Sequence, residues 1–269
     1  MRRCTFLARE LKGAACIRFL QARFIMKKMR TLVFGDIHGG LRALKNVLEK
    51  TNPGPEDLLI FLGDYVDGWS DAAGTLDFLM GLETERRCLF LRGNHDQLCL
   101  QWLTSGIENP LWLQAGGLMT QKSYSGIGMT TRKHHMRFLE SLQDYHLDQN
   151  NRLYVHAGFT NPKGVMHEYF PKNFYWDRTL WEMALSLNPD LSFEDKFYPT
   201  RLKQYHEIFI GHTALTKIGM TKPLKAGNVW NIDTGAAHRG PLSALHVETK
   251  QFWQSEPVHL LYPGEVGRN

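Results

Sequence analysis

No stretch of this sequence approaches the roughly 18 consecutive apolar residues that a membrane span requires, so the body of the chain is expected to be soluble, without a membrane partner. Cysteine is scarce, with four residues in 269. Cys4, Cys16, Cys88 and Cys99 form no CxxC pair and no disulfide or zinc framework, which points to a reducing compartment and makes the cytoplasm the expected location. Low-complexity linkers and internal repeats are also missing, so one domain over residues 29–269 is expected. A basic body is missing too, despite a formal charge of +5. Residues 1–28 carry eight Lys or Arg against Glu10 alone, a net +7, and taking that from the total leaves −2 for the rest. Nucleic acid is therefore not an expected partner.

The basic segment places Leu7, Leu11, Ala14, Ile17, Leu20 and Phe24 at helix-like spacing with arginines between them. It is compatible with a surface-binding amphipathic helix, a transit-like peptide, or an extension before the functional start, because "MKKMR" at Met26–Arg30 sits directly before the first strand-like run. It is left out of the fold argument, and the chemistry is not expected to need it.

What the sequence does contain is a 43% hydrophobic composition, ample for a core, in an alternating pattern. "TLVFGD", "LLIFLGD" and "CLFLRGN" are short apolar runs that suit buried strands. "LRALKNVLEK", "AAGTLDFLMGL" and "DQLCLQWLTSG" follow them with helical spacing, and "NPGP" at Asn52–Pro55 ends the first helix. Strands alternating with helices imply βαβ units and a mostly parallel sheet. The second half offers "RLYVHAGF", "IFIGHTAL", "NVWNIDTGA" and "SALHVETKQFWQS", separated mainly by loops, and predicts a more antiparallel sheet. The expected class is α/β with two packed sheets and helices outside.

Three consecutive strands end alike, in "FGDIHGG", "FLGDYVDGW" and "LRGNHDQ", with glycine leading into Asp or Asn. Ligands of open α/β sheets bind beyond the carboxyl ends of the strands, so the three clusters should converge. A glycine before each lets the chain turn sharply. A single Asp or His after a strand is most often a turn or cap residue. The set of Asp36, His38, Asp64, Asn94, His156 and His212, each at the end of an apolar run, is less easily dismissed. Its nitrogen and oxygen donors suit Mn, Fe or Zn better than Ca or Mg. A central carboxylate can bridge two ions about 3.5–4 Å apart, a recurrent device for phosphoester cleavage, and Asp64 is the natural bridge.

Taken in order, "GDIHGG", "GDYVDG", "LRGNHD", "VHAGF" and "GHT" resemble the phosphoprotein phosphatase branch of the calcineurin-like metallophosphoesterases, from Thr31 to about Ala237. The resemblance implies a fold of two packed mixed sheets flanked by helices in four layers. It implies two divalent ions, with manganese expected and iron, zinc or nickel as alternatives. One ion would be held by Asp36, His38 and Asp64, the other by Asp64, Asn94, His156 and His212. His95 would protonate the leaving alkoxide and Asp67 would orient it, while a water activated by the metals attacks phosphorus.

The chain departs from this pattern at Gly68. Phosphatases of the branch carry "GDYVDRG" there, with an arginine that grips the substrate phosphate. Arg178, in "FYWDRTLW", is the candidate replacement, since an arginine can meet two phosphate oxygens at once. Trp69 is a candidate wall for an apolar leaving group, or else packing. His238 is a candidate substrate contact in "DTGAAHRG", or part of a plain turn, and Asp96 stands where eukaryotic relatives carry Glu. The expected function is a metal-dependent phosphomonoesterase of the serine/threonine protein phosphatase type, acting on a phosphorylated protein or a small phosphoester. The alternatives are a hydrolase of diadenosine tetraphosphate or similar phosphoanhydrides and, in another class, a non-catalytic metal-binding scaffold.

Overall fold

The computed structural model of the protein describes residues 29–268, so the readings made of the basic segment lie outside the described residues. Ten strands follow in chain order: β1 (Thr31–Phe34), β2 (Leu58–Phe61), β3 (Arg87–Phe90), β4 (Tyr145–Leu147), β5 (Arg152–Val155), β6 (Glu207–Ile210), β7 (Leu224–Ala226), β8 (Val229–Asn231), β9 (Ser243–His246) and β10 (Phe252–Gln254). They form two five-stranded sheets, ordered β10-β9-β1-β2-β3 and β4-β5-β6-β8-β7.

The alternation of side chains along the strands sets the layers. Val33, Ile60 and Leu245 of the first sheet meet Tyr154 and Phe209 of the second in one buried cluster between the sheets. The neighbouring residues Leu32, Phe34, Leu59 and Phe61 face outward onto Leu44, Val47, Leu76, Leu79 and Phe138 of the helices. Those residues belong to helices Leu41–Thr51, Ala72–Glu85 and Met129–Ser141. On the far side Leu153, Val155, Ile208 and Ile210 pack on Leu180, Trp181 and Leu202. Strands buried on both faces must be apolar throughout, which is why they read as unbroken runs. The result is the expected pair of mixed sheets flanked by helices. Helix Leu41–Thr51 ends where "NPGP" placed the stop, on Asn52 in the left-handed conformation (φ 41°).

The second half differs from its reading in two respects. Its sheet is parallel at the centre, β5 to β6 and β6 to β8, and antiparallel only where β4 and β7 close the edges. The run "SALHVETKQFWQS" is a hairpin, β9 and β10, that crosses back to pair with β1. Both follow from partner choice between strands far apart in sequence, which short-range periodicity does not encode. No helix among the described residues is long and apolar enough to cross a membrane.

Candidate active site

Each candidate ligand leaves a strand end. Asp36 and His38 follow β1, Asp64 follows β2, Asn94 begins the helix Asn94–Ser105 behind β3, His156 follows β5, and His212 follows β6. All six are buried. Asp36, His38 and Asp64 form one cluster of donor atoms within 4.8 Å of one another; Asp64, His156 and His212 form another. Asp64 belongs to both. Its Oδ1 accepts the backbone N–H of His95 at 2.9 Å. Its Oδ2 lies 3.5 Å from Nε2 of both His38 and His156. Asn94 completes the second group, with Oδ1 3.3 Å from His156 Nε2 and 2.9 Å from His212 Nδ1.

The orientation of the rings leaves nitrogens free for an ion. His38 Nδ1 donates to the Asp67 carbonyl at 2.9 Å and His156 Nδ1 to that of Leu62 at 2.8 Å, so both rings turn Nε2 inward. His212 Nε2 is buried without any hydrogen-bond partner. Around these nitrogens Asp36, Asp64, Asp67, Asp96 and Asp233 are all nearly inaccessible. So many buried carboxylates demand positive charge nearby. Burial and then Asp233 push the Asp36 carboxyl well above the usual carboxylate range. Burial would raise Asp64 too, but His156 and His95 hold it well below that range. His38 and His212 are lowered by burial, whereas at His156 the Asp64 carboxylate outweighs burial and raises the imidazole to about 9. Spacings of about 3 to 3.5 Å between donors match the edges of a coordination shell with bonds of about 2.1 Å, so the residues present fit divalent ions.

His95 and Asp67 stand beside this cluster, with His95 Nδ1 2.6 Å from Asp67 Oδ2. Asp67 is itself held. Trp112 Nε1 donates to Oδ2 at 2.5 Å, and the Thr120 hydroxyl donates to Oδ1 at 2.6 Å. Trp112 ends the helical segment Pro110–Trp112 and Thr120 lies in Leu118–Ser123, joined by the segment Leu113–Gly117, which bends at Gly116 (φ 109°). Sequence reasoning missed both, because nothing in a Trp and a Thr 45 and 53 residues away announces a carboxylate partner. Asp96 accepts from the backbone N–H groups of Asp64, Tyr65 and Gly93, each at 2.8 Å, and so braces the turns that present Asp64 and Asn94. Asp233 was also missed, although "VWNIDTGA" repeats the apolar-run-to-Asp signal of the other strand ends.

The cluster opens into a cavity of about 460 Å³. Arg178, Lys217, His238 and Arg268 reach it, and Trp112 and Trp176 supply apolar wall. Trp69 is not part of that wall, so of its two readings, a wall for the leaving group or packing, the structure favours packing. Left-handed Asp67 (φ 70°) and Gly68 (φ 126°) turn the chain so that Trp69 enters the core. There its Nε1 donates to Ala236 O at 2.7 Å and its ring stacks on Tyr262 at 5.3 Å. Arg178 is exposed at the rim, with Nη1 3.0 Å from the Thr213 hydroxyl. His238 Nδ1 donates to the Arg268 carbonyl at 2.7 Å. A larger hollow of about 720 Å³, lined by Leu187, Phe193, Tyr198 and Asn228, contains none of the candidate ligands.

Comparison with known proteins gives the same grouping. The family model described as calcineurin-like phosphoesterase matches residues 29–226. A curated relative, serine/threonine-protein phosphatase 1 of Salmonella typhimurium, is 26% identical over 224 residues, covering 80% of this chain and 91% of its own length. Among solved structures, a putative diadenosine tetraphosphatase superposes with a TM-score of 0.58 at 17% identity, covering 85% of this chain and 93% of that one. A protein serine/threonine phosphatase from Saccharomyces cerevisiae gives 0.58 at 16% identity, covering 85% and 80%. With the matched region spanning most of the chain and all six candidate ligands in it, the protein belongs to the calcineurin-like phosphoesterase family and is a hydrolase of phosphoester bonds.

Proposed function

We propose that the protein is a phosphomonoesterase of the serine/threonine protein phosphatase type, with one divalent ion held by Asp36, His38 and Asp64 and a second by Asp64, Asn94, His156 and His212. Bound there, the ions supply Lewis-acid chemistry, lowering the pKa of a water for attack on phosphorus and offsetting charge on the phosphoryl oxygens. His95 protonates the leaving oxygen from Nε2, because Nδ1 is committed to Asp67. Asp67 fixes the ring, and Trp112 and Thr120 keep Asp67 in place. Arg178 meets the phosphoryl oxygens at the rim of the cavity. No covalent phosphoenzyme is needed.

The observation that carries this reading is the His95–Asp67 contact of 2.6 Å next to the carboxylate shared by both ligand groups. A poor leaving group such as a serine alkoxide needs that acid, whereas a nucleotide leaving group needs it less. A second reading, hydrolysis of dinucleoside polyphosphates, is favoured by the apolar wall of Leu98, Leu111, Trp112 and Trp176 beside the ligands. The test is phosphate release by Mn²⁺-loaded protein from a phosphoserine peptide, diadenosine tetraphosphate and an activated aryl phosphate, with Asp64→Asn as the blank. Preference for the peptide is the expected result. Preference for the dinucleotide replaces the first reading by the second, and no Asp64-dependent release from any of the three leaves a metal-binding scaffold.

A further inference from the structure

Gly68 stands where a phosphate-gripping arginine was expected, and the space above it is filled from elsewhere in the chain. A Cβ placed on Gly68 would lie 3.4 Å from Cγ of Arg268, and one on Gly116 would lie 3.0 Å from the same atom. The aliphatic stem of Arg268 therefore runs through a slot floored by two glycines. Its guanidinium emerges in the cavity that Asp64, Asn94, His95 and Arg178 also line, with Nη1 3.5 Å from His38 Nε2.

The segment that delivers it is pinned along its length. The Tyr262 hydroxyl donates to Asp71 at 2.7 Å and accepts from the Arg42 N–H at 3.0 Å. Glu265 accepts from the backbone N–H and the hydroxyl of Ser70, at 2.9 and 2.7 Å. The Gly267 backbone lies flat on Trp69, so close that a Cβ there would come within 2.8 Å of the indole. Arg268 N–H donates to Ala237 O at 2.8 Å, and its carbonyl accepts from His238. Trp69 thus packs under this segment, and His238, which also lines the cavity, holds it through Nδ1.

Among the described residues the guanidinium has no carboxylate partner. Ion pairs of the described residues engage Arg30, Arg42, Arg92, Arg152 and Arg201, but neither Arg178 nor Arg268. Arg268 Nε is buried without a partner. Arg178 and Arg268 both lie near enough to Lys217 to add to the effect of burial in lowering its ammonium, against the opposing effect of Asp233, so three cations gather around one cavity.

We propose that Arg268 binds the phosphoryl group of the substrate, supplying through the slot over Gly68 and Gly116 the guanidinium that position 68 lacks. The inference rests on the phosphoesterase reading above. It deepens that reading by assigning a phosphate dianion to a grip made by Arg178 and Arg268 from opposite parts of the sequence.

The test uses full-length, Mn²⁺-loaded, desalted protein and two readouts: metal content with inorganic phosphate binding by calorimetry, and kcat/KM for an activated aryl phosphate. Arg268→Met keeps the stem against the glycines and removes the charge. It is expected to retain metal while phosphate affinity and kcat/KM fall about 10- to 100-fold, the loss of a charge-assisted pair. Arg268→Lys, which retains stem and charge, should recover part of the loss but not the two-pronged contact. Wild-type phosphate binding and turnover in Arg268→Met at full metal content would overturn the assignment. If wild-type protein hydrolyses nothing yet binds phosphate through Arg268, the hydrolase reading fails and the phosphate grip stands.

Discussion

The residues at the centre of the site carry the backbone strain. His38, Asp64, Asp67 and His212 all have positive φ, at 52°, 55°, 70° and 65°, a region that side-chain-bearing residues avoid at about 1–3 kcal/mol each. Gly35, Gly63, Gly93 and Gly211, before Asp36, Asp64, Asn94 and His212, serve mainly close approach: a Cβ on Gly93 would strike Asp64, and one on Gly211 would strike Asp36. Of the four, only Gly63 (φ 107°) also needs the glycine-only conformation. Because Asp67 is locked by Trp112 and Thr120, the acid is preorganised, and its loss should be specific to chemistry. His95→Asn is expected to retain metal and to lose about 10²–10⁴-fold in turnover on an alkyl phosphate, with a much smaller loss on an activated aryl phosphate. Equal losses on both substrates, measured side by side, would show that His95 is not the acid.

At the scale of elements, strand ends are held in register by charged anchors at the opposite end of the sheet. Arg30, just before β1, gives its backbone N–H and Nε to Asp57 at 2.9 Å each and its Nη2 at 2.6 Å, while Gly54 N–H adds a bond at 2.8 Å. This ties the start of β1 to the start of β2. Burial alone would raise the Asp57 carboxyl, but the Arg30 bonds outweigh it and hold the pKa below the ordinary value. A depressed folded pKa stabilises above the unfolded pKa of about 3.9 and loses that contribution as pH falls through the folded value. Asp57→Asn should therefore cost about 1–3 kcal/mol at pH 7, read from urea midpoints, and the gap to wild type should narrow below about pH 4. A gap that stays constant down to pH 3 would contradict this account.

Across the whole molecule, the candidate ligands come from both sheets: Asp36, His38, Asp64 and Asn94 from the first, His156 and His212 from the second. Ions held among them would clamp the two layers, so metal should report on global stability. At free metal a hundredfold above Kd the gain is about 2.7 kcal/mol, or roughly 5–10 °C in Tm for a chain of this size. Calorimetry with and without chelator should show that shift in the wild type and none in Asp64→Asn. An unchanged Tm on chelation would mean that the sheets hold together without help from the site.

The sequence by itself determined the local elements and the positions where they end. Apolar runs breaking into Gly and then Asp, Asn or His are short-range signals, so the six candidate ligands could be singled out, as could β1 to β3 and the helices between them, while the pairing of His95 with Asp67 came only with the family resemblance. Only the tertiary structure decided what depends on distant partners: the return of β9 and β10 to the first sheet, the hold of Trp112 and Thr120 on Asp67, the burial of Trp69 under the tail, and Arg268 in the slot over Gly68. The missing arginine could be seen in one dimension as an absence. Its replacement, 200 residues further along, exists only because folding brings two glycines and a pinned tail together, and no pattern within a window of sequence carries that distance.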